Sequence, residues 1–276
     1  DGVLLQEFKN KNMITLGIEP SKEIAKKSNE NGIKTYDEFL SLELTNKIIQ
    51  EYGAADVITS NNVFANIDDI HNWIICVKNL MSTNAIYVFE SFYLADVIEN
   101  SVFDFIYHEH LSAFSVKPIK KLFEHFGLKL VDIEPIDTKG GSLRYYAQNQ
   151  SGNLNISKNI EYYLEYENKK KLYDKETYDS FTIKINELKN KTLTYLRKAK
   201  NDGMKIAGFG ASITCTTLIY HFEIEKIIDY LVDDNEAKQG TFSPGSHIPV
   251  FSVEQLLIEK PDIIIILAWG FSDIFF

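Results

Sequence analysis

The feature that most constrains the fold is an alternation of short apolar strands with amphipathic helices, which occurs twice along the chain. Over residues 1–90, helical patterns separate four apolar segments: MITLGIE (13–19), IKTY (33–36), ADVITSN (55–61) and AIYVFE (85–90). Strands spaced by helices of about 10–15 residues predict a parallel sheet with crossover helices. After Gly203 the alternation returns with MKIAGFG, IIDYLVDD, IPVF and DIIIILAW. We therefore expect an α/β protein with two sheets, the second of them smaller.

The stretch between the two alternations follows a different order. A helix is expected over 117–126, followed by the strands LKLVDIEPI and SLRYYAQ, which DTKGG joins as an antiparallel hairpin at the sheet edge. Residues from about 157 to 202 predict one long, lysine-rich connecting helix with a solvated face. The expected units are therefore 1–150, 151–202 and 203–276.

Composition and charge exclude several classes of protein. The chain has 276 residues, of which 45% are hydrophobic, and that is ample for a core. It contains no apolar run of about 18 residues that would predict a membrane span. A formal charge of −10 argues against nucleic acid as a partner. Cys76 and Cys215 have neither disulfide nor zinc spacing, which indicates a reducing cytoplasm.

The two ends of the chain lack the features of natural termini. The chain begins at Asp1-Gly2 without an initiator methionine, and it ends directly after an apolar strand. We therefore expect it to be part of a longer protein.

The segment FDFIYHEHLSAF (103–114) places several titratable groups side by side. In an extended chain Tyr107 and Glu109 would share one face, whereas in a helical turn Tyr107 and His110 would come together. A metal needs three or four ligands, and no second histidine or cysteine cluster lies nearby, so we expect no metal site. A histidine beside a carboxylate can abstract a proton, and a tyrosine can hydrogen-bond a developing oxyanion.

Two further candidate positions follow strands of the first sheet. Glu19 ends the strand after Gly2, where open α/β folds bind a ribose diol, although it could equally cap the next helix. Asn61 and Asn62 follow the strand ADVITS at its carboxyl end, where they could bind a ligand or form a turn.

Two glycine turns are also candidates for anion binding. Arg144 follows Gly140-Gly141-Ser142 and is one of only two arginines, so it could bind an anion in bidentate fashion or form a strand-edge salt bridge. GFGAS (208–212) ends a strand and opens a helix, where it could hold a phosphate or serve close packing.

In order along almost the whole chain, these motifs resemble a known family. They are GIEPS (17–21), NNVFANIDD (61–69), FDFIYHEHLSAFS (103–115), GGSLRYY (140–146), GFGAS (208–212) and LVDDNEAKQGTFSPGSHIPVF (231–251). The family is the S-adenosylmethionine-dependent sugar C-methyltransferases, which act on nucleotide-linked 4-keto-deoxysugars. The resemblance implies an incomplete class I methyltransferase Rossmann-like domain followed by a second, smaller Rossmann-like domain.

The resemblance also implies roles for individual residues. His110 would be the base that forms an enolate, Tyr107 would stabilise its oxygen, and Glu109 would orient His110. S-adenosylmethionine would be bound by Asp1, Gly2, Glu19, Pro20, Asn61 and Asn62. The nucleotide sugar would contact Arg144, Ser142, Gly210, Ala211 and Asn66. Asn66 stands where we expect the family to have a histidine, which indicates a different sugar.

Family members carry an N-terminal zinc-binding domain and a glycine loop before the segment seen here, so zinc is expected only there. The enzyme is expected to be a cytoplasmic monomer whose partner is the small-molecule substrate, with neither nucleic acid nor membrane involved. Two alternatives stay open. One is an NAD-dependent oxidoreductase or epimerase of nucleotide sugars, which would share the ribose-binding glutamate. The other is a non-catalytic remnant that binds a nucleotide sugar.

Overall fold

The computed structural model describes residues 2–269 and shows ten α-helices, three short 3₁₀ helices and ten strands in that range. The helices are α1 Val3–Asn10, α2 Lys22–Glu30, α3 Leu42–Tyr52, α4 Ile70–Leu80, α5 Leu94–Glu99, α6 Val116–His125, α7 Lys158–Lys169, α8 Lys175–Asn201, α9 Ile213–Phe222 and α10 Gln255–Glu259. The strands are β1 Gly17–Ile18, β2 Thr35–Tyr36, β3 Ala55–Asn61, β4 Met81–Phe92, β5 Leu128–Ile136, β6 Ser142–Asn149, β7 Ile206–Phe209, β8 Tyr230–Val232, β9 Val250–Phe251 and β10 Ile263–Ile266.

The largest sheet of the first part has the strand order β3-β4-β6-β5. β3 and β4 are parallel, whereas β6 runs antiparallel to both β4 and β5. The predicted antiparallel hairpin is therefore confirmed, although only β5 lies at the edge. Because β6 pairs with β4 from Ser142 opposite Phe92 onward, the hairpin turn lies at the carboxyl end of β4.

β1 and β2 form a separate parallel pair. The strand expected over 13–19 is reduced to Gly17–Ile18, because β1 has a hydrogen-bonded partner on one side only within the described part of the chain. Helix α3 connects this pair to the larger sheet through one small apolar cluster. That cluster joins residues of β1, β2, α3 and β3: Leu16, Ile18, Tyr36, Leu44, Ile48, Ala55 and Ile58.

The expected helices of the first part are confirmed, and local capping explains their bounds. Ser41 accepts a hydrogen bond from the Leu44 amide and begins α3, which ends at Gly53 with a φ of 85°. The Asp69 side chain caps α4 by accepting a hydrogen bond from the Asn72 amide. No helix within residues 2–269 is long and apolar enough to cross a membrane.

The single helix expected over residues 157–202 is wrong. It is divided into α7 and α8 by a turn in which Lys171 adopts a left-handed φ of 52°. Ile160 and Leu172 are buried in the core of the first sheet, so α7 belongs to that core and is not a solvated connector. The lysine-rich pattern failed to show this because only a few positions on α7 are buried.

The last part forms a four-stranded parallel sheet with the order β10-β7-β8-β9. Gly208 permits its close packing, because an added Cβ would lie 2.6 Å from Leu231 and 2.7 Å from Leu267. The core of this sheet includes one residue from the first part of the chain, Phe103. The predicted α/β class is confirmed, and the last sheet is the smaller of the two four-stranded sheets because its strands have only two to four residues. The expected number of two sheets is wrong, since β1 and β2 form a third.

Candidate active site

The candidate site lies at the carboxyl ends of β3 and β4, the edge where open α/β sheets bind ligands. Register places three of its side chains in one row across the sheet: Asn61 is opposite Glu90, and Glu90 is opposite Arg144. The segment 107–110 and the hairpin turn 137–141 lie beside this row.

Residues 107–110 form a turn that is closed by a hydrogen bond from the His110 amide to the Tyr107 carbonyl, at 3.0 Å. Of the two arrangements that the sequence allowed, the structure shows the one in which Tyr107 and His110 come together. Their ring centroids are 4.1 Å apart. His108 and Glu109 are exposed, whereas Tyr107 and His110 are half-buried.

Backbone geometry determines which nitrogen of His110 is basic. Nδ1 lies 2.7 Å from the Phe105 carbonyl oxygen, and because a carbonyl can only accept, Nδ1 carries the proton. The other nitrogen, Nε2, then has a free lone pair and accepts a hydrogen bond from the Tyr107 hydroxyl at 3.1 Å. Phe92 covers the ring at a centroid distance of 4.7 Å. His110 is thus held as a neutral imidazole with Nε2 available as a base.

Electrostatics favour the same protonation states. Burial lowers the pKa of His110, Lys139 lowers it further, and the Phe105 carbonyl and Glu109 oppose these effects. Burial and the nearby Glu109 raise the pKa of the Tyr107 hydroxyl. At neutral pH the pair is therefore a proton acceptor beside a protonated hydroxyl donor.

The contact that orients the His110 ring in this structure comes from the main chain, and not from Glu109. The Phe105 carbonyl orients the ring, and no hydrogen bond joins Glu109 to His110 within residues 2–269. The sequence analysis considered only side chains, whereas a main-chain carbonyl five residues earlier makes this contact. The role of Glu109 stays a prediction.

The turn 107–110 is anchored on both sides. The amides of Leu111 and Ser112 donate to the Ala65 carbonyl at 2.8 and 3.2 Å, which places the exposed Asn66 beside the turn. On the other side, Phe103 stacks on Phe222 of α9 with centroids 5.2 Å apart. The turn is therefore positioned by both parts of the molecule.

The residues expected to bind the cofactor fall into two groups. Gly2, at the start of α1, and Glu19, after β1, line one cavity of about 180 Å³ together with Ser28 and Thr35. Gly2 has a φ of 81°, and an added Cβ would lie 2.7 Å from Ser28 Oγ, so the turn requires glycine. Glu19 Oε1 accepts the Ser21 amide at 2.8 Å, which is the helix-start contact that the sequence left open. The cavity is smaller than a typical ligand pocket and would fit part of a nucleoside.

The second group lies at the end of β3. Asn62 has a left-handed φ of 57°, and its amide donates to the Glu90 carbonyl at 2.9 Å. Its side-chain oxygen Oδ1 is buried and has no hydrogen-bond partner within residues 2–269, as is common where a ligand completes a site. Asn61 and Pro20 are exposed. Asp1 lies outside the described residues.

Arg144 forms the strand salt bridge that the sequence left as an alternative. Its Nη2 lies 3.0 Å from Glu90 Oε2, and Glu90 is nearly fully buried. Ser142 is also buried, and its hydroxyl donates to the Thr138 carbonyl at 3.0 Å within the hairpin turn. Both groups therefore have partners in the free protein.

The turn that contains Gly210 and Ala211 is built for close packing. An added Cβ at Gly210 would lie 3.0 Å from Cys215 Sγ, and the Ala211 amide donates to Asp233 Oδ2 at 2.8 Å. A carboxylate of the protein thus takes the amide that a phosphate would need. No hydrogen bond connects this turn to residues 107–110 in the described part of the chain.

Sequence reasoning missed two charged groups of the site, Glu90 and Lys139. Both follow from strand pairing: the hairpin turn must lie at the carboxyl end of β4 once β6 pairs with that strand. No group of three or more His, Cys, Asp or Glu side chains within residues 2–269 is arranged to hold a metal ion.

Known proteins are similar to this chain in sequence and in structure. C-methyltransferase NovU of Streptomyces niveus is 28% identical over 272 residues, which cover 98% of this chain and 65% of NovU. The chain thus spans 65% of the length of that curated relative. Among solved structures, a SAM-dependent methyltransferase of Anabaena variabilis is 12% identical with a TM-score of 0.42, covering 54% of this chain and 73% of that one. The 1,6-didemethyltoxoflavin-N1-methyltransferase of Burkholderia thailandensis is also 12% identical, with a TM-score of 0.39, covering 54% of this chain and 66% of that one.

Two family descriptions together account for nearly the whole sequence. Residues 1–133 match the family described as a methyltransferase domain. Residues 137–276 match the C-methyltransferase C-terminal domain. The chain therefore belongs to the C-methyltransferase family.

Proposed function

We propose that the protein transfers a methyl group from S-adenosylmethionine to the carbon beside the ketone of a nucleotide-linked 4-keto-deoxysugar. The observation that carries the proposal is the imidazole of His110, whose Nδ1 is tied to a backbone carbonyl and whose Nε2 meets the Tyr107 hydroxyl. Membership in the C-methyltransferase family supports the reaction type. The resemblance of the motifs to sugar C-methyltransferases supports the substrate class.

Methylation of carbon requires a carbanion equivalent, which a ketone provides when a neighbouring C–H proton is removed. His110 Nε2 takes that proton, a step that contributes about 10²–10⁴ in rate, and the C–H electron pair becomes the enolate. The Tyr107 hydroxyl, released from Nε2, then donates a hydrogen bond to the enolate oxygen. One such donor increases the rate about 10²–10³-fold. When bound, S-adenosylmethionine would supply the electrophilic methyl group for the enolate carbon, with the methyl–sulfur bond broken and S-adenosylhomocysteine as the leaving group.

Several residues of the candidate site fit parts of S-adenosylmethionine and of the sugar substrate. Gly2, Glu19 and the unpartnered Oδ1 of Asn62 would hold the nucleoside and methionine portions of the cofactor. The exposed side chain of Asn66, beside the catalytic turn, would contact the sugar. We further propose a cytoplasmic location, because Cys76 and Cys215 are both free and buried, as is usual in a reducing compartment. The expected monomer stays a prediction.

The decisive experiment uses the full-length protein with labelled S-adenosylmethionine, a nucleotide-linked 4-keto-6-deoxysugar and heavy water. Methyl transfer and deuterium exchange beside the ketone are followed together. Both signals are expected. Cofactor binding without either signal would exclude this substrate class, and NAD-dependent turnover without cofactor binding would favour an oxidoreductase.

His110→Asn tests the base directly in the same assay. The amide cannot accept a proton at neutral pH, so transfer and exchange should fall at least about 10²-fold while cofactor affinity stays near wild type. The matched control is His108→Asn, because His108 is exposed two residues away. Undiminished exchange in His110→Asn would remove His110 from the role of base.

A further inference from the structure

Lys139 occupies an unusual position in the hairpin turn between β5 and β6. It adopts a left-handed φ of 56°, a conformation that lysine rarely takes. The turn around it is well defined, because the Gly141 amide donates to the Thr138 carbonyl at 3.0 Å. An added Cβ at Gly140 would lie 3.0 Å from Val102, so the turn also packs tightly against the chain before the catalytic segment. The fold therefore holds Lys139 at the carboxyl end of β4.

The ammonium of Lys139 is half-buried and lacks a close counter-charge. No Asp or Glu oxygen lies within 4.0 Å of it among the residues from 2 to 269. Glu90 attracts it, but that carboxylate already binds Arg144 at 3.0 Å and Thr138 Oγ1 at 3.3 Å. Burial lowers the pKa of Lys139. Such an ammonium costs free energy in the folded protein.

The charge of Lys139 also acts on the candidate base. The His110 ring packs on Phe92 with centroids 4.7 Å apart, and Phe92 pairs with Ser142, three residues after Lys139, so the ring and the hairpin turn lie at the same end of the sheet. The charge of Lys139 lowers the pKa of His110, in the same direction as burial.

The other charged or titratable groups that face His110 are Tyr107 and Glu109, both from its own turn. On the side of Lys139 lies Glu90, which pairs with Arg144. The carboxylate of Asp96 packs against Gly141 of the same turn, and the turn also contains the exposed Asp137.

The Lys139 ammonium therefore lacks a close counter-charge in the free protein, and an anion formed during the reaction would supply one. In the free protein the ring is neutral and lies beside one cation. After the ring has taken a proton, two cations would lie close together, which is unfavourable unless an anion joins them. The enolate oxygen is that anion in the proposed function, on which this inference rests.

We propose that Lys139 and His110 form a two-cation site for the enolate oxygen. Burial, together with the charge of Lys139, keeps the ring uncharged before the substrate binds, and the Lys139 ammonium pairs with the oxygen once the substrate's C–H proton has moved to Nε2. The C–H electron pair moves onto the ketone oxygen, so the product of this step is one imidazolium, one ammonium and one enolate. The site therefore interacts more strongly with the enolate than with the neutral ketone, as a catalytic site must.

The test begins with histidine NMR titrations of the full-length protein, with the His110 signal assigned by its loss in His110→Asn. Lys139→Gln and Lys139→Gly both remove the charge, and Lys139→Gly also suits the left-handed backbone if glutamine distorts the turn. Lys139→Arg retains the charge. Lys171→Gln is the matched control, because Lys171 is exposed and has a similar φ of 52° in another turn.

The proton affinity of His110 should rise about three- to tenfold in Lys139→Gln and Lys139→Gly, and stay unchanged in Lys139→Arg and Lys171→Gln. The deuterium-exchange assay should show the acidic limb of its pH profile shifted to higher pH in the two neutral variants. Its plateau should also fall about 10²–10³-fold, because one charge on the oxyanion is lost.

The outcomes separate this inference from the proposed function. An unchanged His110 titration in both neutral variants, or an exchange plateau equal to wild type, overturns the two-cation site while methyl transfer stands. Absence of exchange in the wild type overturns the proposed function and the enolate site together, and leaves only the charge coupling between Lys139 and His110.

Discussion

Single residues of this molecule owe their protonation behaviour mainly to burial. Burial is the largest cause of the shifts at His110, Lys139, Asp96 and Asp104. Asp104 is the most enclosed of these groups, at 3% exposure, and its Oδ1 is buried without a hydrogen-bond partner in the described part of the chain. Burial raises its pKa to about 6, against the effects of its own amide and the Trp269 indole.

Asp104→Asn should therefore stabilise the protein at neutral pH. Because the folded-state pKa of about 6 lies above the unfolded value of about 3.9, this group stabilises the fold below pH 4 and loses that contribution as the pH rises through 6. The free energy of unfolding of the variant should be about 3 kcal/mol higher than that of the wild type at pH 7.5, and the difference should shrink toward pH 4. Urea unfolding across this range measures it.

The exposed Asp137→Asn serves as the control for Asp104→Asn. The free energy of unfolding of Asp104→Asn should still depend on pH to some extent, because burial also raises the pKa of Asp96 to about 6. A stability difference that stays constant from pH 4 to 7.5 would contradict the assignment.

Among the elements, α6 and α7 are joined by one fully buried carboxylate. Glu167 of α7 accepts the amides of Val116 and Lys117 at 2.5 and 3.1 Å, at the start of α6. It also accepts the hydroxyls of Tyr93, at 3.1 Å, and Tyr173. An acceptor at a helix start satisfies amides that have no partner inside the helix.

Glu167→Ala should lower the free energy of unfolding by about 3–5 kcal/mol, because it leaves buried donors without an acceptor. Denaturant unfolding gives the value. Glu165→Ala, on the exposed face of the same helix, should change it by less than about 0.5 kcal/mol. Equal losses in the two variants would mean that helix propensity, and not the buried hydrogen bonds, determines the effect.

For the whole molecule, the segment that carries the candidate base connects the two cores. Phe103 contributes to the core of the second sheet, whereas Phe114, eleven residues later, belongs to the core of the first. Residues between them therefore take their positions from both.

Phe103→Ala should lower the free energy of unfolding by about 3–5 kcal/mol, because it leaves a cavity against Phe222. It should also reduce deuterium exchange, since the turn 107–110 loses one anchor. Calorimetry should show the two parts unfolding in separate steps. The control is Phe39→Ala, whose side chain is 78% exposed. Wild-type exchange in a destabilised Phe103→Ala would show that the anchor does not position the base.

Local patterns in the sequence predicted most elements of the fold. The bounds of β3 and β5 agree with the apolar segments at 55–61 and 128–136, and α3 and α9 follow from capping residues and periodicity. The resemblance of the motifs also identified the family and the segment with Tyr107 and His110. These features depend on neighbouring residues, so a linear sequence contains them.

The remaining features of the fold and of the candidate site depended on contacts between residues that lie far apart in the sequence. The division of α7 from α8, the Phe105 carbonyl that assigns the proton of His110, and the approach of Lys139 to Glu90 and His110 arise only after the chain has packed. The physical reason is that burial and charge act through space. The sequence determined which residues could perform the chemistry, and the tertiary structure decided their protonation states and their partners.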